Sequence, residues 1–505
     1  MIMTAALLPL LAAIPIAAAA ATVLWRNPVW QRAWLLGIPV LTGLAGLDLL
    51  GQHRDTPVLA ENVGAFVPGV AIPFVSDTFS ALMILVTSFT VLMCLVFMVI
   101  TREDRYRLLT PLVLMLIGGV NGAFLTGDLF NLFVFVEVML LPSYALIAIT
   151  GTWRRLGVGR TFVVVNLLTS TILLIGVGLV YATAETVNLA LLVGAGTDPR
   201  TALSSGVVLL ALAIKAALVP MHTWLPRSYP ATSAAVMGLF STLHTKVALY
   251  ALFRITSTLY EGRPPWALVL AVLVGLSIVI ASYSTLGERV MRRALSWQLV
   301  ASTGHALLGL LLFTQFSLGA GIFYTVHSIV TMGALILGAG AIEQVYGSGR
   351  YERLSGIIRR DRMLTIGYAL ALMSIVGLPP SAGFFAKVVL VQASAQAGGA
   401  WQAVFVTLIC IGSLGSLVAM QRLWVGVFWG PDMEDYLPDS PETGRGPKTK
   451  LTDDVRVTPR LMAPMAVLVV TQLAMFVLAG PLMEITTRAA TGLVDLAPYV
   501  EAVLG

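Results

Sequence analysis

Charge is what this sequence has least of. Of its 505 residues only 11% are Asp, Glu, Lys or Arg, against roughly 25% in a soluble globular chain, and the mean hydropathy is +0.90. A soluble fold is thereby excluded. Cysteine is nearly absent as well: Cys94 and Cys410 both fall inside apolar runs. They offer no ligand set for an iron–sulfur cluster or a zinc ion and argue against a structural disulfide. No glycine-rich phosphate loop, HExxH pair or nucleophile elbow stands in a fitting context, so nothing points to nucleotide binding or hydrolysis. No cofactor and no metal is expected. The net charge of +6 does not call for a nucleic-acid partner, because Lys and Arg are scattered through short segments rather than gathered into a basic patch.

What the chain does have is apolar runs of about twenty residues, the length that crosses a ~30 Å hydrocarbon core as helix. They read as about 14 spans, at 2–24, 30–50, 76–100, 108–126, 129–150, 161–183, 203–225, 232–253, 266–286, 291–313, 318–343, 364–394, 401–429 and 460–485. Alternating the intervening segments puts 22 of the 31 Lys and Arg on one side, 5 on the other and 4 inside spans. That bias assigns the basic side to the cytoplasm. One span more or fewer would scramble it, so the expectation is a multi-pass protein of the cell (cytoplasmic) membrane with both termini outside. The opening run lacks a positive n-region and is followed by Arg26, which reads as a retained span rather than a signal peptide. Between spans, the Pro/Gly-punctuated stretch 57–73 suggests short extended structure outside. The polar stretch 431–459, acidic and then basic, reads as a solvated cytoplasmic connection.

A charged side chain at mid-bilayer needs a partner, a wet cavity or a neutral form. Four positions raise that question: Glu137 in span 5, Lys215 in span 7, Lys246 in span 8 and Lys387 in span 12. Static ion pairs consume acids and bases in equal number, whereas here three lysines face one well-buried glutamate. At least two lysines are left without a carboxylate, and an amine poised between protonation states can relay protons. Proline and glycine give a second signal. Pro220 sits inside span 7, and Gly377, Pro379, Pro380 and Gly383 interrupt span 12. Such breaks free backbone carbonyls, which are tolerated at membrane depth only where protein or water satisfies them. Of the histidines, His53 reads as an exposed loop residue, and a structural role is the first reading for His222 and above all His305. His244, two residues before Lys246, and His327, near the middle of span 11, suit a relay because imidazole both accepts and donates a proton.

The stretch GVNGAFLTGDLFNLFVFVEVMLLPSYAL (119–146) resembles the antiporter-like membrane subunits of respiratory complex I. KAALVPMHTWLPRSYPATSAAVMGLFSTLHTKVALYALFR (215–254) is similar to that family's seventh and eighth helices, and GLPPSAGFFAKVVL (377–390) to its broken twelfth. Within the superfamily the match is to the D subunit of Mrp-type multisubunit cation/proton antiporters. The resemblance implies an all-α membrane fold with two inverted five-helix repeats, spans 4–8 and 9–13. The chain would divide into N-terminal helices (1–107), a first repeat (108–253), a second repeat (266–429), and a cytoplasmic loop with helix 14 (430–505). It places the family's glutamate–lysine pair on Glu137 and Lys215, its eighth-helix relay on His244 and Lys246, and its terminal site on Lys387. Two departures stand out: ASTGH (301–305) replaces a more polar run, and Met332 stands where a helix-11 lysine is expected. The central link would then fall to His327, Ser328 and Thr331, with His222 as a further accessory.

The resulting expectation is a secondary transporter subunit, not an enzyme. It would relay H+ through these groups within a complex of other membrane subunits, with Na+ as a further candidate cargo. The alternative is the proton-pumping membrane subunit of a complex I-like or hydrogenase-like redox complex, and a third reading is an assembly scaffold with dead channels. A Na+ site usually needs several oxygen ligands, and the sequence shows one confident buried carboxylate, which favours a proton path.

Overall fold

In hydrocarbon no water is available to the backbone, so apolar runs must satisfy their N–H and C=O groups internally, as helix. The computed structural model describes residues 3–64, 66–149, 153–262, 264–436, 447 and 449–505, and in it this is what they do. The chain opens with α1 (Leu10–Leu24) and α2 (Pro28–Gln52). An antiparallel hairpin of β1 (Val58–Val63) and β2 (Ile72–Asp77) then leads into α3 (Thr78–Ile100). Next come α4 (Leu109–Leu125), α5 (Leu129–Ala148), α6 (Trp153–Ala184), α7 (Pro199–Lys215), the short α8 (Trp224–Ser228) and α9 (Ala234–Tyr260). After these stand α10 (Ala267–Ser284), α11 (Met291–Leu312), α12 (Gln315–Tyr346), the one-turn α13 (Ile357–Arg360), α14 (Arg362–Val376), α15 (Ala382–Ala397) and α16 (Gly399–Val427). The chain ends with α17 (Pro459–Val477), α18 (Ala479–Val494) and α19 (Ala497–Leu504).

The order repeats. From α4 and again from α10 the chain runs through two helices, a third of 32 residues, a broken helix and one more long helix. An offset of five spans reverses orientation, as inverted repeats require. Among the described residues eleven helices are long and apolar enough to cross a membrane. The three expected spans beyond these are the 17-residue α4 and the two broken ones, so helix length alone does not establish the count of fourteen. The hairpin matches the extended structure expected at 57–73. Of the polar connection 431–459, including Asp439 and Glu442, residues 437–446 and 448 lie outside the described residues; Asp435–Tyr436 and Thr449–Lys450 pair as a minimal antiparallel ladder.

Burial sorts the helices radially. The apolar windows of α9 and α12 are 100% buried, whereas those of α1, α2, α6, α10, α16 and α17 are 39% buried, with faces left for lipid. These two innermost helices carry His244, Lys246, His327 and Ser328, buried polar groups of a kind that neighbouring helices can supply with hydrogen-bond partners.

Three sequence expectations change here. His53 is not an exposed loop residue: it is 2% exposed, its Nδ1 2.9 Å from the Thr56 carbonyl oxygen and its Nε2 2.9 Å from Ser76 Oγ. The hairpin folds back over the end of α2 and covers it. Arg254, one of the five basic residues that the alternation puts on the outer side, lies in the last turns of α9, buried and ion-paired with Asp77, the N-cap of α3. Asp77, Asp128 and Asp361 are buried, whereas Glu137, expected to be the one well-buried carboxylate, is only half-buried. All three aspartates sit at helix ends, where backbone N–H groups or an arginine meet them.

Candidate functional site

The site is built from the two helix breaks and the two innermost helices. In the first half, α7 stops at Lys215, and the chain runs irregularly through Ala217 (φ +60) and Pro220 to α8. The carbonyl of Ile214 released by this break accepts from the Trp224 indole at 3.1 Å, and the Val219 N–H is satisfied by Ser277 Oγ at 2.9 Å. Lys215, buried, donates from Nζ to Ser170 Oγ of α6 at 2.9 Å. It makes no direct ion pair with Glu137, whose Oε1 has no hydrogen-bond partner, although the two lie within electrostatic reach. The expected pair is therefore a separated one.

On α9, the His244 ring is held from both edges, Nε2 2.8 Å from Ser143 Oγ and Nδ1 3.2 Å from the Tyr229 hydroxyl, and stacks on Phe240 with centroids 4.5 Å apart. The field of Lys215 reaches it. Two residues on, Lys246 donates from Nζ to Ser328 Oγ on α12 at 2.9 Å. This crosses from one half of the chain to the other. Ser328 adjoins His327, whose Nδ1 is 3.1 Å from Thr331 Oγ1 and 3.5 Å from Ser374 Oγ on α14. Thr331 also donates to Gln472 Oε1 of α17 at 3.2 Å. The fields of Lys246 and Lys387 both reach His327.

In the second half, α14 ends at Val376, Gly377 takes φ +90, and Pro379–Pro380 separate it from α15. Lys387 reaches back along α15 and donates from Nζ to the freed Val376 carbonyl at 2.7 Å and to Ser413 Oγ of α16 at 2.9 Å. A cation here faces the negative end of a half-helix. α15 begins tight against α12, since a Cβ on Gly383 would stand 2.8 Å from His327 Cε1.

Lys215, His244, Lys246, His327 and Lys387 thus lie buried along one belt, with the half-buried Glu137 beside it and Ser328 and Thr331 in contact with it. Pro220, Pro379 and Pro380 lie in the two breaks, as expected. His222 stands to one side, its ring 5.3 Å from Trp297 and its Nδ1 unpartnered. Sequence reasoning passed over several groups and read His305 as structural. Ser170 and Ser143 come from other helices and carry no signal of their own. Tyr144, with an unpartnered hydroxyl in electrostatic reach of Glu137, lies seven residues after it and so on the same helix face, which was a legible cue. His305 bonds its own Ala301 carbonyl through Nδ1 at 2.8 Å, but Nε2 is buried without a partner and the ring stacks on Tyr324, which itself abuts His327.

Chemically the belt offers donors and acceptors that exchange roles, and broken helices that expose carbonyls. Comparison with known proteins agrees with that character. Residues 126–412 match the family described as "NADH:quinone oxidoreductase/Mrp antiporter, TM". The chain is 30% identical over 440 residues, 86% of each chain, to the D subunit of the Na(+)/H(+) antiporter of Alkalihalophilus pseudofirmus. Among solved structures it matches a chain of the Mrp complex from Dietzia sp. with a TM-score of 0.92, 38% identity and 99% of each chain covered. It also matches a chain of an archaeal membrane-bound sulfane sulfur reductase, with a TM-score of 0.84, 24% identity and 99% of each chain covered, a likeness of fold alone.

Proposed function

We infer that this chain, which belongs to the NADH:quinone oxidoreductase/Mrp antiporter membrane family, is the proton-translocating subunit of a multisubunit cation/proton antiporter. One observation carries the reading. Each of the three buried lysines rests on a serine hydroxyl, Ser170, Ser328 or Ser413, at 2.9 Å, and none on a carboxylate. A carboxylate partner would lock an ammonium in place. A hydroxyl accepts from an ammonium and donates to a neutral amine, so both protonation states of each lysine keep a hydrogen bond. A proton enters beside Glu137 and Lys215, passes by way of His244 and Lys246, crosses to α12 at Ser328, and moves through His327, Thr331 and Ser374 toward Lys387. Like charges on neighbouring sites disfavour one another, so protonation of one lysine favours release from the next. Partner membrane subunits supply the coupled Na+ movement.

The recurring element order supports taking 108–253 and 266–429 as the two inverted units, and the 22-to-5 distribution of basic residues supports a cytoplasmic basic side with both termini outside. The test of the relay is Na+-dependent proton flux in everted vesicles containing the assembled complex, with Lys387 replaced. Lys387→Ala should block flux, and Lys387→Glu should retain part of it, since a buried carboxyl also holds and releases a proton. Lys387→Arg should fail because guanidinium stays protonated. Arginine working as well as lysine would mean that the position supplies only fixed charge, and the relay reading would fall.

A further inference from the structure

On the face away from the relay, a cavity of about 860 Å³ opens between α2, α3 and the α17–α18 junction. Along α3 it runs from Thr78 to Phe89, twelve residues or roughly 16 Å of helix. That is one leaflet of a ~30 Å hydrocarbon core. Its inner lining includes Val326, Val330 and Thr471, which adjoin His327, Thr331 and Gln472 in the chain. Its mouth, at the start of α3, carries Arg54, Arg488 and Glu484. Arg488 is paired with Glu484 at 3.3 Å, whereas Arg54 is exposed with no hydrogen-bond or ion-pair partner among the described residues.

We propose that this groove is a phospholipid site, with the phosphodiester at Arg54 and one acyl chain lying along α3 to the back of α12 at the level of His327. Depth and charge both select this occupant. The groove ends at mid-membrane, where a spanning partner helix would have to continue, and the mouth's net charge of about +1 matches the single negative charge of a phosphodiester. The chain end packs on Val326 and Val330, the buried residues that back His327 and Thr331 at this level.

The intact complex is reconstituted with phosphatidylglycerol or phosphatidylethanolamine bearing a diazirine near the end of one acyl chain, photolysed and mapped by peptide mass spectrometry. Label is expected on the segments 82–89, 326–330 and 471–482 with either lipid. Leu85→Trp, which fills the groove, should remove it there while labelling of outward faces of α6 and α16 persists. Arg54→Ala should cut phosphatidylglycerol labelling about fivefold, the effect of one arginine at an anionic surface. Absence of label in the parent complex, or label unchanged by Leu85→Trp, overturns the proposal. So does a photocrosslinking residue at Val86 that captures a neighbouring subunit instead of lipid.

Discussion

At the scale of single residues, the serine beside each lysine is what separates a relay from a static buried charge. Ser328→Ala leaves Lys246 Nζ without its only side-chain acceptor, and an unmet buried donor costs about 1–3 kcal/mol. The expected outcome is antiport slowed about tenfold or more, with normal assembly; Ser328→Thr, which keeps the hydroxyl, should recover most of the rate. Vesicle flux for the two variants checks it, and equal loss in both would assign Ser328 to packing. Glu137→Gln and Lys215→Ala should each abolish coupled antiport in an assembled complex, and near-normal antiport in either would refute the roles given to them. The lysines were legible in the sequence because a charge inside an apolar run is conspicuous. Their serines were not. They lie 45, 82 and 26 residues away along the chain, and a serine in a membrane helix also satisfies itself on its own backbone, so its type and position say nothing about its partner.

At the scale of elements, the two breaks show how a local backbone feature places a side chain. Gly377 takes φ +90, and a Cβ there would stand 2.7 Å from Lys387 Cδ. Gly377→Ala therefore carries about 1–2 kcal/mol of backbone strain and also pushes the lysine off the Val376 carbonyl. Transport should be lost as fully as in Lys387→Ala while the melting temperature of the purified complex falls only slightly. Gly37→Ala in α2, where a Cβ meets nothing within 4 Å, should leave transport untouched. The breaks were readable because proline and glycine punctuate helices by steric rule. The last span divides as well: α17 gives way to α18 at Leu478, just before Gly480 and Pro481, a cue of the same kind that the reading of 460–485 as one span left unused.

At the scale of the whole molecule, stability rests on polar ties between distant segments. Arg254 on α9 meets Asp77 at the head of α3 and the Tyr499 ring of α19, centroid 5.4 Å away. Breaking a buried pair from one side costs about 3–5 kcal/mol, so Asp77→Asn and Arg254→Met should each lower the melting temperature more than the double variant's share. Additive effects would mean that the two do not interact. His53 adds a pH dependence outside the spans. Burial pushes its pKa below the ordinary 6.5, against smaller opposing effects of its bond to the Thr56 carbonyl and of Asp77. The unfolded ring thus takes up a proton more readily than the native one. The contribution of the neutral ring is present in full above about 6.5 and is lost as pH falls from there through the lower native value. Hydrogen exchange in 58–63 and 72–77 should quicken over that window, and His53→Asn should remove the dependence.

The sequence by itself determined that the chain is a helical membrane protein, roughly how many times it crosses, which helices are broken and which buried charges need explaining. These follow from one-dimensional quantities: run length against bilayer thickness, the sign of loop charges, and the steric rules of proline and glycine. Only the tertiary structure decided that Glu137 and Lys215 stand apart, that His53 and Arg254 are buried, that His305 stacks on the Tyr324 ring that abuts His327, and that α9 and α12 are the two helices enclosed on every side. Each of those depends on which faces of distant helices meet. In a span that is apolar all round, hydrophobic periodicity does not say which face turns inward, so packing between helices had to supply the answer.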